Sequence, residues 1–126
     1  MKYNSILLID DDEDDQVIFM AGIRDVSKTV ICNCMFNAKK ALEILDKGEL
    51  NPEVIFLDLN MPIMSGRQFL TEIKKREPLS KIPVIIFTTS SNKSTIEDMF
   101  NLGAANFITK PGRYEELVSI LRESIT

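Results

Sequence analysis

Six consecutive acids, Asp10 to Asp15, follow directly on four apolar residues, Ile6 to Ile9. Neighbouring like charges repel and folding does not require them, so the run raises the question of what it binds. Three further groups of chemical interest stand alone along the chain: Asp58 in "VIFLDLNMPIMSG", Thr88 in "PVIIFTTSS" and Lys110 in "NFITKPG". Each of them closes a short apolar run. Asp10, Asp11 and Asp58, if brought together, would repel one another, and a carboxylate desolvated without a partner is strongly unfavourable. A hard divalent cation relieves that repulsion. Mg2+ in particular accepts a carboxylate or two, waters and a phosphate oxygen rather than a full protein cage. Lys110 adds a second positive charge and Thr88 a hydroxyl donor. Two cationic groups and a hydroxyl around one free carboxylate oxygen describe a place where a phosphoryl group is received.

Taken singly, no member of the set carries this reading. An Asp at a strand end is commonly a turn former. The Ser/Thr cluster Thr88–Ser91 suits helix capping, and Lys110 before Pro111 reads equally as an exposed loop lysine. Acid runs are usually solvated faces. Part of this one has a local use: Glu13, Asp14 and Asp15 fall in the first turn of the following helix, where the dipole favours each negative charge by ~0.3–1 kcal/mol. Asp12 marks the junction, leaving Asp10 and Asp11 as the metal side. The specificity lies in the ordered set.

The elements that must position this set are legible as alternating periods. Predicted strands cover 5–9, 30–35, 54–57, 84–87 and 106–108, and several are nearly continuous in apolar residues, as in parallel strands covered on both faces. Between them run helical patterns: Val17, Met20, Ala21 and Arg24; then Ala38, Ala41, Leu42 and Leu45; then Phe69, Leu70 and Ile73; then Ile96, Met99 and Phe100; and last Leu117, Ile120 and Leu121. Gly48, Pro52, Pro78, Pro83 and Gly103 punctuate them, and Ser94 with Glu97 has capping-box spacing, which predicts a helix start near Ser94. Five strands alternating with five helices give an α/β fold, a doubly wound parallel sheet whose functional crevice lies beyond the carboxyl ends of the strands. Asp10, Asp58, Thr88 and Lys110 all lie there.

Composition agrees with one globular domain over 1–126. Of the 19 acids, six sit in the opening run; without them the chain would carry 13 acids against 15 bases, so the acidity is local. No basic patch suits nucleic acid. No apolar run is long enough to insert in a membrane, and none resembles a signal peptide, so a cytoplasmic protein is expected. Cys32 and Cys34 share one face of a strand and read as buried free thiols; with no His in the chain, a thiolate metal site lacks partners.

The ordered set resembles the receiver domain of bacterial two-component response regulators, over essentially the whole chain, and the single-domain, chemotaxis-regulator-like kind. The matching pieces are "LLIDDD", "FLDLNMPIMSG", "PVIIFTT" and "GAANFITKP". The resemblance implies a flavodoxin-like sheet of strand order 2-1-3-4-5. It implies Asp58 as phosphoacceptor, and Mg2+ held by Asp11 and Asp58, by the Asn60 carbonyl, and by Asp10 through water. Thr88 and Lys110 would contact the phosphoryl oxygens. Phe107 aligns with the family's switch aromatic, commonly Tyr, and Lys110–Pro111 with a peptide bond that is usually cis. Thr88 is expected to move inward on phosphorylation, with Phe107 following, to reshape a surface around Ile96, Phe107 and Tyr114. Partners implied are a histidine kinase or histidine phosphotransfer protein and a downstream protein target. No output domain is expected after the fifth helix, and any catalysis is expected to be limited to assisting its own phosphorylation and autodephosphorylation. The rival is a Mg2+-dependent phosphohydrolase with an Asp nucleophile, which resembles this chain in its "DDD" but leaves the loop around Asp58 unexplained.

Overall fold

The computed structural model describes residues 1–126. Its elements run β1 (Ser5–Ile9), α1 (Glu13–Val26), β2 (Ile31–Met35), α2 (Ala38–Asp46), β3 (Val54–Leu57), α3 (Gly66–Ile73), a 3-10 turn (Leu79–Lys81), β4 (Val84–Thr88), α4 (Lys93–Asn101), β5 (Asn106–Thr109) and α5 (Tyr114–Ile125). All strand pairs are parallel and the sheet order is β2-β1-β3-β4-β5, the doubly wound arrangement expected. The central strands β3 and β4 are buried at every position, which is why they read as unbroken apolar runs. The edge strands are patchier. Cys32 and Cys34 on β2 are free and only half-buried, not enclosed, because no strand lies beyond them.

Strand alternation divides the core in two. Leu7, Ile9, Ile55, Leu57, Val84 and Ile86 face α2, α3 and α4. Ile6, Leu8, Val54, Phe56, Ile85 and Phe87 face α1 and α5. On that second side Phe19 of α1 meets Phe56 and Phe87 edge-on, with ring centroids 5.1 and 5.5 Å apart. No helix is long and apolar enough to cross a membrane.

Three local expectations are corrected. The buried stripe of α1 is Gln16, Phe19, Gly22 and Ile23, whereas Val17, Ala21 and Arg24 are exposed and Met20 half-buried. Two contacts set this phase. The Gln16 side chain donates to the Asp10 carbonyl at 2.8 Å, and a Cβ on Gly22 would come within 2.8 Å of Leu121, so α1 and α5 approach closely at Gly22. Secondly, α4 is capped by Asn92, whose side chain accepts from the Thr95 N–H at 2.8 Å, so the helix begins at Lys93 and Ser94 lies inside it. Of its apolar residues only Met99 is fully buried, while Phe100 is exposed. Thirdly, the cis peptide bond is Glu77–Pro78, and Lys110–Pro111 is not cis. The Lys110 N–H continues the β4–β5 ladder by donating to the Thr88 carbonyl at 2.8 Å.

Candidate functional site

Parallel pairing fixes the strand ends side by side. The Asp58 N–H donates to the Ile9 carbonyl at 3.0 Å, and the Asp10 N–H to the Met35 carbonyl at 3.0 Å, so the first residues past β1 and β3 are held by the sheet itself. Carboxylate oxygens of Asp10, Asp11 and Asp58 lie within 4.8 Å of one another. Asp10 is fully buried, Asp58 nearly so, and Asp11 exposed. From the end of β5, Lys110 Nζ reaches Asp10 Oδ2 at 2.8 Å and comes to 3.7 Å from Asp58 Oδ2. The four charged groups expected to converge do so.

Their electrostatics follow from burial. Removal from water pushes the Asp10 carboxyl above the ordinary carboxylate value, and the Lys110 ammonium and the Asp12 N–H pull it down only in part. For Lys110, burial alone would lower the pKa. Hydrogen bonds to Asp10 and Asp15, with the nearby Asp58 charge, more than offset that and hold it above the ordinary lysine value. The pair therefore fixes the ammonium more firmly than it fixes the Asp10 carboxylate, because Asp10 is the more deeply buried partner and has a like charge beside it. Both Asp10 oxygens are already committed, Oδ1 to the Asp12 N–H at 2.9 Å and Oδ2 to Lys110. Asp11 is not committed, and the Asn60 carbonyl accepts no hydrogen bond. Hard oxygen donors at this spacing, with two of the carboxylates unneeded by other hydrogen bonds, fit a hard divalent cation.

The loop carrying Asp58 is built tightly. Ser65 and Gln68 form a reciprocal capping box that starts α3. A Cβ on Gly66 would lie 2.3 Å from the Asp58 carbonyl oxygen, so only glycine lets the helix start pack under the acceptor. Between them the Met64 N–H donates to the Pro62 carbonyl at 2.8 Å around Ile63, whose φ of 70° is a three-residue turn costly for a β-branched side chain. Asn60 is exposed at this loop and its side chain donates to Ser90 at 3.0 Å, tying the β3 and β4 loops together.

Thr88 is fully buried and its hydroxyl has no hydrogen-bond partner. Phe107 is half-buried against the α2–α4 side of the core, opposite Ile86. Tyr114 is tied to α1. Its hydroxyl donates to Asp25 of α1 at 2.6 Å, which turns it to the α1 side and raises its pKa through that hydrogen bond.

Two residues of the site carried no signal of it in the sequence beyond helix-terminal charge and polarity. Asp15 accepts from Lys110 at 2.8 Å, and Gln16 holds the Asp10 carbonyl.

Comparison with known proteins agrees with this geometry. Residues 6–122 match the family described as the response regulator receiver domain. A protein-glutamate methylesterase/protein-glutamine glutaminase of Methanococcoides burtonii is 37% identical over 119 residues, covering 90% of this chain and 32% of that protein. The chain thus spans about a third of the length of that curated relative. Among solved structures, the phosphorylated cyanobacterial phytochrome response regulator RcpA is 26% identical with a TM-score of 0.88, covering 97% of this chain and 91% of that one. The Mn(2+)-bound form of response regulator Rcp1 is 27% identical with a TM-score of 0.81, covering 95% and 90%.

Proposed function

The chain belongs to the response regulator receiver family, and we propose that it accepts a phosphoryl group on Asp58 from a phosphohistidine-bearing kinase or phosphotransfer protein. The observation that carries this reading is the convergence of Asp10, Asp11 and Asp58 with Lys110, whose Nζ stands 3.7 Å from Asp58 Oδ2. In the transfer an Asp58 carboxylate oxygen forms the new O–P bond. The P–N bond to the donor imidazole breaks, and its electron pair leaves with that ring.

Lys110 supplies positive charge to the non-bridging phosphoryl oxygens, and the unpartnered Thr88 hydroxyl supplies a donor. Mg2+, held by Asp11 and Asp58 carboxylates, the Asn60 carbonyl and Asp10 through water, would add charge neutralisation at the same oxygens. The Mn(2+)-bound form of response regulator Rcp1, 27% identical, and the crowded carboxylates here support a divalent ion. The phosphoryl brings about −1.5 to −2 charge and new acceptor oxygens to the strand ends. Satisfying the Thr88 hydroxyl there, on the side of the sheet that also holds Phe107, is how the state of Asp58 reaches the α4 and β5 surface and a downstream protein target.

This is a cytoplasmic signalling role, with assistance only to its own phosphorylation and autodephosphorylation. Nothing in the geometry favours a phosphohydrolase. That reading needs the nucleophile just past β1, where both Asp10 oxygens are occupied. The test is incubation with acetyl phosphate and Mg2+ followed by intact-mass measurement. Wild type gains one phosphoryl and Asp58→Asn does not; equal stable gain in both sinks the assignment.

A further inference from the structure

Asp15 has the geometry of a functional residue without an assigned role. Its Oδ2 accepts from Lys110 Nζ at 2.8 Å, the same length as the Asp10 contact, whereas Asp58 Oδ2 lies at 3.7 Å, outside hydrogen-bond reach. We propose that Asp15 is a positioning residue that draws the Lys110 ammonium toward the first turn of α1 and away from Asp58, and so restrains phosphoryl acceptance in the resting chain. The inference rests on Asp58 being the acceptor and adds a brake to that same site.

The brake is mounted on rigid backbone. The Asp15 N–H donates to Asp12 Oδ1 at 3.0 Å, and the Asp12 N–H donates to Asp10 Oδ1 at 2.9 Å, so the start of α1 is tied to the end of β1. One turn on, the Gln16 side chain donates to the Asp10 carbonyl. All three bonds use groups other than the Asp15 carboxylate, which is free to reach across to the β5 loop. That carboxylate is 39% exposed, against 11% for Lys110 and none for Asp10. It keeps part of its hydration, and its hold is therefore releasable in a way that Asp10's is not.

The effect on transfer follows from the balance of charge. With acetyl phosphate, an Asp58 oxygen forms the O–P bond, the P–O bond to the acetyl group breaks, and acetate leaves with the electron pair. Lys110 assists in proportion to how fully its charge is turned to the phosphoryl oxygens. While Asp15 shares the ammonium, that fraction is reduced. A plain first-turn acid would behave differently: Asp14, exposed on the same turn, offers the same charge to the helix dipole and makes no ion pair with Lys110.

The experiment follows acetyl phosphate labelling by intact mass over time, at saturating Mg2+, in wild type, Asp15→Asn, Asp14→Asn and Asp15→Glu. Asp15→Asn is expected to accept several-fold faster, the scale of one partly exposed ion pair. Asp14→Asn should match wild type, and Asp15→Glu should restore most of the restraint. Mg2+ affinity, read from the rise of melting temperature with Mg2+, should be the same in both Asn variants, because Asp15 is not a metal ligand. Equal or slower acceptance in Asp15→Asn than in Asp14→Asn overturns the brake alone. No acceptance by wild type overturns the reading of Asp58 on which it stands.

Discussion

The ends of β4 and β5 each deliver one cation or donor to the same crevice, and they are in opposite states. Lys110 at the end of β5 is over-supplied, with two carboxylates at 2.8 Å and a third at 3.7 Å. Thr88 at the end of β4 is more enclosed and has nothing to bond. A buried hydroxyl without a partner costs about 1–3 kcal/mol, so the resting fold tolerates a donor that it does not use. The difference teaches that the crevice is half assembled. Its one cation is already shared among three carboxylates, while its neutral donor bonds to nothing.

The strongest way to break this comparison is to remove the well-supplied partner. Lys110→Met leaves Asp10 fully buried beside Asp58 with no cation, and stability in metal-free buffer should fall by about 3 kcal/mol. Added Mg2+ should recover part of that loss by supplying the missing charge. Denaturant unfolding with and without Mg2+ reads both effects, and an unchanged midpoint without metal would show that the ion pairs contribute little.

Next in size is the packing beneath the acceptor. Gly66→Ala puts a methyl group against the Asp58 carbonyl, which is backbone and cannot swing aside. A loss of about 1–3 kcal/mol is expected from the forced shift, together with weaker Mg2+ binding as the loop moves. Gly22→Ala is its control, since the atom it meets is the flexible end of Leu121. Equal losses in the two variants would mean that the Asp58 loop has no special demand for glycine.

Acid titration sharpens the electrostatic half. The folded pKa of Asp10 is raised, so its neutral form is favoured by folding. The stability this group contributes is fully present below its unfolded value of 3.8 and is lost as pH rises through the raised folded value. The stability of wild type relative to Asp10→Asn should therefore improve as pH falls from neutral toward 3.8. A difference that stays flat, or moves the other way, contradicts the dominance of burial over the Lys110 pair.

The smallest effect is expected at the idle donor. Thr88→Val keeps the shape and deletes a hydroxyl that bonds to nothing, so melting should stay level or rise slightly. The gain in partner affinity on phosphorylation should nevertheless shrink. Full retention of that gain in Thr88→Val would separate the hydroxyl from signalling.

How much of this was legible in the chain depended on what sets each feature. The buried central strands showed as apolar runs because both faces of β3 and β4 are covered, and the residue ending each run is then placed by sheet pairing alone. Asp10, Asp58 and Thr88 could be read for that reason, and Lys110 from its place after the last short apolar run. The face of α1 could not, because its buried stripe includes a polar Gln16 and a glycine while the apolar Val17 and Ile18 point outward. That choice is made by the Asp10 carbonyl and by α5, neither of which leaves a period in α1 itself. Asp15 was hidden for a related cause. Its partner Lys110 is 95 residues away, and in sequence the acid has a sufficient local explanation at the helix start. The unpartnered Thr88 hydroxyl and the bond from Tyr114 to Asp25 are choices of rotamer and neighbour, which residue type does not encode.

The most direct measurement locates the phosphoryl group on the chain. Wild-type protein labelled with acetyl phosphate and Mg2+ is reduced with borohydride, which converts an acyl-phosphate aspartate to homoserine, and its peptides are then sequenced by mass spectrometry. Homoserine at position 58, lost when Mg2+ is chelated before labelling, is the expected result. Homoserine at Asp10, Asp11 or Asp15, or labelling indifferent to the chelator, would contradict the account of Asp58 as the acceptor in a metal-dependent crevice.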